Sequence, residues 1–104
     1  MAKELNRALS MLSIAAKAGK VVSGGFMSEK AIQEGRAYLV VIAADASDNT
    51  KKKFTDKSTY YHVPYRIIGD GEMLGKMIGK QSRTTVTVTD QGLAQQIIKK
   101  IDSQ

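Results

Sequence analysis

Apolar residues along this chain alternate between two spacings. Near the start, Leu5, Leu9, Leu12 and Ala16 recur at steps of three and four, with Lys3, Arg7 and Ser10 between them. That is the pattern of a helix burying one stripe, and Gly19 stops it. Lys20-Val21-Val22 reads as a short strand or extended arm. Ser23-Gly24-Gly25 opens a second helix with Met27, Ala31 and Ile32 on its buried side, and Gly35 ends it. Leu39-Val40-Val41-Ile42-Ala43 has no polar face, so something must cover both of its sides.

The next six residues, Ala44-Asp45-Ala46-Ser47-Asp48-Asn49, are rich in types that turn and cap. They lead into a third helix over about 50–61 that buries Phe54 and Tyr61 and carries Lys51-Lys52-Lys53 on a solvated face. Pro64 starts a strand over about 65–68. The Gly69-Asp70-Gly71 turn caps a short helix around Met73, Leu74, Met77 and Ile78, which Gly79 stops. After the polar loop Lys80-Gln81-Ser82-Arg83, the 84–89 stretch alternates threonine with Val86 and Val88, as a half-buried strand should. Asp90 caps a last helix with Leu93, Ala94, Ile97, Ile98 and Ile101 inward. Helices and strands alternate throughout, which predicts an α/β fold with helix, sheet and helix layers around about four strands. The crossover from the 39–43 strand to the 65–68 strand should be parallel and right-handed.

Composition adds bounds. The 104 residues make one domain, 1–104, with 42% hydrophobic and 25% charged residues, ordinary for a soluble protein. No run approaches the ~20 apolar residues of a membrane span. Glu4 and Asn6 inside the first segment, with no cleavage-type ending, mark an amphipathic helix and not a signal peptide. With no cysteine there is no disulfide or thiolate chemistry, which suits the cytoplasm. A net charge of +6 favours a polyanionic partner.

Catalytic chemistry finds little material. His62 is the single histidine, which argues against a metal centre or a Ser-His-Asp triad and for a structural or surface role. Asp45 lies at the carboxyl end of a buried strand, where open α/β folds place ligands. It lacks carboxylate companions, since Asp70 and Asp90 read as caps, so it reads as a turn-former. The Gly24-Gly25 pair matches neither dinucleotide nor P-loop patterns. What distinguishes it is the charge around it: Lys17 and Lys20 before, Lys30 and Arg36 after. From Gly75 to Val88 the charged residues are Lys76, Lys80 and Arg83, with no acidic residue. Two glycine-bounded basic turns predict one composite anion-binding face. Only Phe26 supplies an aromatic there, so stacking on open strands should not dominate.

Several spaced motifs then make the chain familiar. They are Ser23-Gly24 with Lys30, Gly35-Arg36-Ala37 running into Leu39-Val40-Val41-Ile42-Ala43 with Asp45, and Asn49-Thr50 with Lys52-Lys53. Tyr60-Tyr61 with Val63-Pro64, Leu74-Gly75 with Ile78-Gly79-Lys80, and Val88-Thr89-Asp90 with Gly92 complete the set. In this order, over most of the chain, they resemble the ribosomal protein L7Ae/L30e family, and most closely its small bacterial members of the YlxQ type. The resemblance implies a three-layer α-β-α sandwich with a mixed four-stranded sheet, no catalysis, and RNA binding. Family members grip a kinked internal loop, the kink-turn, with the start of the second helix and the loop before the last strand. By that resemblance Gly24 and Lys30 match the first element and the 79–84 loop the second. Where the family pattern has Asn and Glu, this chain has Phe26 and Met27, which cannot accept from guanine N–H groups as a carboxylate does.

The sequence therefore predicts a non-enzymatic, cytoplasmic, monomeric and ribosome-associated RNA-binding domain with no cofactor, no metal and no membrane partner. Gly24 and Gly25 give close approach, Phe26 and Lys30 lie beside them, and Lys20, Arg36, Lys80 and Arg83 flank them. Gln81, Ser82 and Thr84 are placed to hydrogen-bond sugar or base edges. The alternative from another class is a protein-interaction module on the same fold.

Overall fold

The computed structural model describes residues 2–103, with side chains from position 6 onward. In chain order the elements are α1 (Ala2–Lys17), β1 (Val21–Ser23), α2 (Gly25–Gln33), β2 (Leu39–Ile42), α3 (Asp48–Tyr60), β3 (Tyr65–Ile67), α4 (Gly71–Met77), β4 (Thr85–Val88) and α5 (Gln91–Asp102). The sheet runs β1-β4-β2-β3. β4 is antiparallel to both neighbours, pairing Val22 with Thr87 on one side and Val40 with Thr87 on the other. β2 and β3 are parallel, Val41 opposite Arg66, as the helical crossover between them requires. The sheet is therefore mixed. Helix α1 packs against both α4 and α5, and α2 packs with α3, which gives the expected three layers.

The apolar strand behaves as its composition demands. Leu39, Val40, Val41, Ile42 and Ala43 are all fully buried. From one layer Leu9, Leu12, Leu74, Ala94 and Ile97 join the core, and from the other Ala31, Ile32 and Phe54. Side chains cap the helices where the sequence put capping types. Ser47 accepts from the Thr50 amide at 3.1 Å, Asp70 from Met73 at 2.8 Å and Asp90 from Leu93 at 2.9 Å. Arg66 on β3 donates twice to Asp102 at the end of α5, at 2.9 and 2.7 Å. That hydrogen-bonded guanidinium holds the Asp102 carboxyl below its ordinary pKa.

Four expectations change. The 84–89 strand is not half-buried: β4 is central, and Thr85 and Thr87 are as buried as Val86 and Val88. A threonine methyl fills space much as valine does, so alternation of these two types does not mark a wet face. Met27 is exposed, and Ser28 instead joins Ala31 and Ile32 on the buried side of α2. Tyr61 is 41% exposed because α3 ends at Tyr60 and the chain turns through His62 in a left-handed conformation (φ 59°). Ala16 is only half-buried, and Ala8 and Ala15 fill the stripe with Leu9 and Leu12. The side chain of Leu5 lies outside the described residues.

Candidate nucleic-acid interface

One end of the sheet collects the start of α2, the loop before β4 and the start of α4. Gly24 joins the first two. Its amide donates to the Thr85 carbonyl at 2.9 Å, and its backbone (φ 85°, ψ 162°) lies where only glycine sits without strain. It is also the N-cap of α2, with no side chain capping the helix, so the first turn keeps open backbone donors. Phe26 and Lys30 are one helical turn apart on an outward face, Phe26 at 78% exposure. Met27 stands beside them at 39%. Glu29, on another side of α2, meets Lys53 and Lys57 of α3 at 2.7 and 3.9 Å. Lys53, hydrogen-bonded to it, holds its carboxyl below the ordinary value.

The loop before β4 is fixed by backbone. The Lys80 amide donates to the Gly75 carbonyl at 2.8 Å and the Arg83 amide to the Gly71 carbonyl at 2.9 Å. Both glycines lie on the face of α4 that the loop covers. A Cβ on Gly75 would run into the Gln81 carbonyl, and one on Gly71 would stand 2.7 Å from the Ser82 hydroxyl. The start of α4 is itself held by Asp45, whose carboxylate accepts from the Gly71 amide at 2.9 Å. Asp45 thus braces the loop through α4, a firmer role than turn-former. Arg83 closes the site. Its guanidinium donates to the Ser23 hydroxyl at 3.2 Å and to the Ser82 and Gln81 carbonyls at 3.0 and 3.3 Å. All three acceptors are uncharged, so its positive charge stays available to an anion. Lys80, Gln81, Ser82 and Thr84 are exposed around it.

Two expected residues are elsewhere. Lys20 precedes β1, and its carbonyl accepts from Thr89 at 2.8 Å, at the far end of β4 from Thr85. Arg36 follows α2, near Tyr38, whose amide donates to Val88 at 2.9 Å, and it pairs with Glu34 at 2.9 Å. Their neighbourhood to the glycines in sequence does not survive folding, because β1 and α2 each carry the chain across the sheet. Gly25, Gly24, Phe26, Lys30 and the 80–84 segment are brought together, and Lys20 and Arg36 are not. Sequence reasoning missed Gly71, Gly75 and Asp45 as builders of the site. The four-residue spacing of the two glycines was visible, and the reach of Asp45 to a residue 26 positions away was not. Among the described residues no cluster of three or more His, Cys, Asp or Glu could hold a metal ion, and no helix is long and apolar enough to cross a membrane.

Comparison with known proteins extends this description. The RNA-binding protein YlxQ of Bacillus subtilis (strain 168) is 48% identical over 92 residues, covering 88% of this chain and 92% of that protein. The RNA-binding protein YlxQ of Enterococcus faecium is 38% identical over 89 residues, covering 85% and 84%. A solved structure of a protein of unknown function from Bacillus halodurans C superimposes with a TM-score of 0.89 at 38% identity, over 91% of this chain and 96% of that one. The Giardia lamblia 15.5kD RNA binding protein has the same fold, with a TM-score of 0.82 at 22% identity over 97% and 89%. Residues 6–98 match the model of the Ribosomal protein L7Ae/L30e/S12e/Gadd45 family, and the chain belongs to that family.

Proposed function

We propose that this protein binds structured RNA without catalysing a reaction, as a cytoplasmic, ribosome-associated monomer, through the start of α2 and the loop before β4. The observation that carries the reading is the Arg83 clasp. A guanidinium with only uncharged acceptors ties the basic loop to Ser23, next to the uncapped glycine start of α2. Open backbone donors and the guanidinium are then held side by side on fixed supports, an arrangement suited to contacts with a phosphate backbone. The names of the B. subtilis and E. faecium relatives, both RNA-binding proteins, favour the same partner. A kinked internal loop fits this pair of elements, with Phe26 and Met27 presenting apolar surface where a polar pair would read base edges.

Filter binding of a kink-turn RNA and of a simple bulged stem across a salt series tests the reading. Four neutralised phosphates would give a log–log slope of about −3 to −4. Lys30→Ala should flatten the slope by about one unit while changing stability by less than about 0.5 kcal/mol, since Lys30 is exposed. A flat salt response, or no binding at low salt, rejects it. Because Phe26 and Met27 are both exposed, Phe26→Asn with Met27→Glu leaves the core intact and should sharpen preference for the kink-turn. A natural preference already near a thousandfold, about 4 kcal/mol, would mean those positions do not read the motif.

A further inference from the structure

The opposite end of the sheet holds a cavity of about 420 Å³ that the α2 site does not use. Its floor is aliphatic, from Ile32 and Ala94, and its rim carries Tyr38, Tyr61 and three glutamines, Gln33, Gln91 and Gln95. Both tyrosines are well exposed, at 38% and 41%, while Tyr60 braces the Tyr61 ring edge-on with centroids 4.9 Å apart. His62 also lines it, in a left-handed conformation (φ 59°) that glycine would adopt without strain. Among the described residues no carboxylate lines the cavity. Arg36 lies between the two lining residues Gly35 and Ala37, and the Lys20 carbonyl holds Thr89, two residues before Gln91. The two basic residues excluded from the α2 site therefore stand at this end.

We infer that this cavity is a second binding site, for one unstacked nucleobase. Three properties select that ligand. Exposed tyrosines offer flat faces on which a base stacks. Glutamine amides carry donor and acceptor together, the pairing that base edges present, whereas an anion would need donors only and a cation acceptors only. Lys20 outside the rim suits the phosphate attached to a base, whereas Arg36 is already paired with Glu34. Both a free nucleotide and a strand of RNA could supply such a base. The ligand class rests on the RNA-binding reading above, but the surface is separate from it, so the two can fail independently.

The test is titration of isotope-labelled full-length protein with adenosine and uridine monophosphates, and in parallel with a four-nucleotide single-stranded RNA, followed by amide chemical shifts. The expected result is saturable shifts at Tyr38, Tyr61 and Gln91 with none at residues 24–30. Tyr61→Leu should weaken binding about tenfold, and Gln95→Ala, an exposed change that leaves the fold alone, about threefold. Tighter binding of the oligonucleotide, reduced by Lys20→Ala, assigns the base to an RNA strand, and equal affinities assign a free nucleotide; both support the site. Absence of shifts at the cavity, shifts confined to residues 24–30, or binding unchanged in both variants overturns it. Tyr61→Leu should still bind the structured RNAs normally, so loss of that binding in Lys30→Ala reports on the other surface alone.

Discussion

The two ends of the sheet are built from different materials. At the end with the start of α2, the shape is made by backbone: Gly24 in a glycine-only conformation, and a loop seated on Gly71 and Gly75 with its amides bonded to α4. At the other end the shape is made by side chains, tyrosines, glutamines and a histidine around an open volume. A backbone site resists added side chains, by collision at Gly71 and Gly75 and by strain at Gly24. A side-chain site can be altered one group at a time. The difference teaches where mutation should be costly, and the sharpest contrasts follow from it.

Gly75→Ala should do the most damage. The new methyl collides with the Gln81 carbonyl, which is backbone and cannot swing aside. A stability loss of about 3 kcal/mol, the upper part of the overpacking range, should lower Tm by more than about 10 °C and abolish structured-RNA binding. Retention of both would show that the loop is free to shift. Gly24→Ala comes next. No atom lies within 4 Å of its added Cβ, so the cost is backbone strain at φ 85°, about 1–3 kcal/mol, read by denaturant unfolding. A neutral result would mean that the chain between β1 and α2 adopts another conformation.

At the far end the sign should reverse. His62→Gly relieves about 1–2 kcal/mol of left-handed strain against about 0.5–1 kcal/mol of added backbone freedom. A net gain of about 0.5 kcal/mol, with weaker nucleotide binding, is expected from melting curves and titration. A loss of stability would mean that the ring packs better than its exposure indicates. The smallest effect concerns pH. Glu29 has its pKa lowered by Lys53, so its contribution is complete above its unfolded-state value and fades as pH falls through the lower folded one. Tm should drift down below about pH 4, and Glu29→Gln should remove that part of the drift. An identical profile in the variant would assign the drift to other carboxylates, with Asp102 first among them.

The sequence was legible wherever local chemistry decided the outcome. β2 had to be covered on both sides because nothing in it is polar, and Ser47, Asp70 and Asp90 cap because their carboxylates or hydroxyl reach an amide three residues on. It was less legible where chemistry is shared between types. Threonine imitated a wet position in β4, and Ser28, a small hydroxyl, took the buried place expected of Met27. Distance in space was least legible. Lys20 and Arg36 flank the glycines in sequence yet end across the sheet from them, and only the strand register shows it. Asp45 builds the candidate site through Gly71, 26 positions on, while Gly71 and Gly75 seat the loop that follows their own helix.

The sheet order also has a consequence for synthesis. Ribosomes release a chain from its N-terminus, and β4 is the last strand to emerge although it lies between β1 and β2. Until Val88 is free to pair with Val21 and Leu39, the sheet has only its β2–β3 pair, β1 stays apart from it, and the edge of β2 that β4 covers lies open. Such non-local closure is slow and leaves sticky surface waiting. Because the elements proposed to meet RNA lie at positions 24–30 and 79–84, the same closing step completes them. A polypeptide stalled before β4 would therefore be both aggregation-prone and silent toward RNA, and the protein would gain its fold and its binding surface in one event.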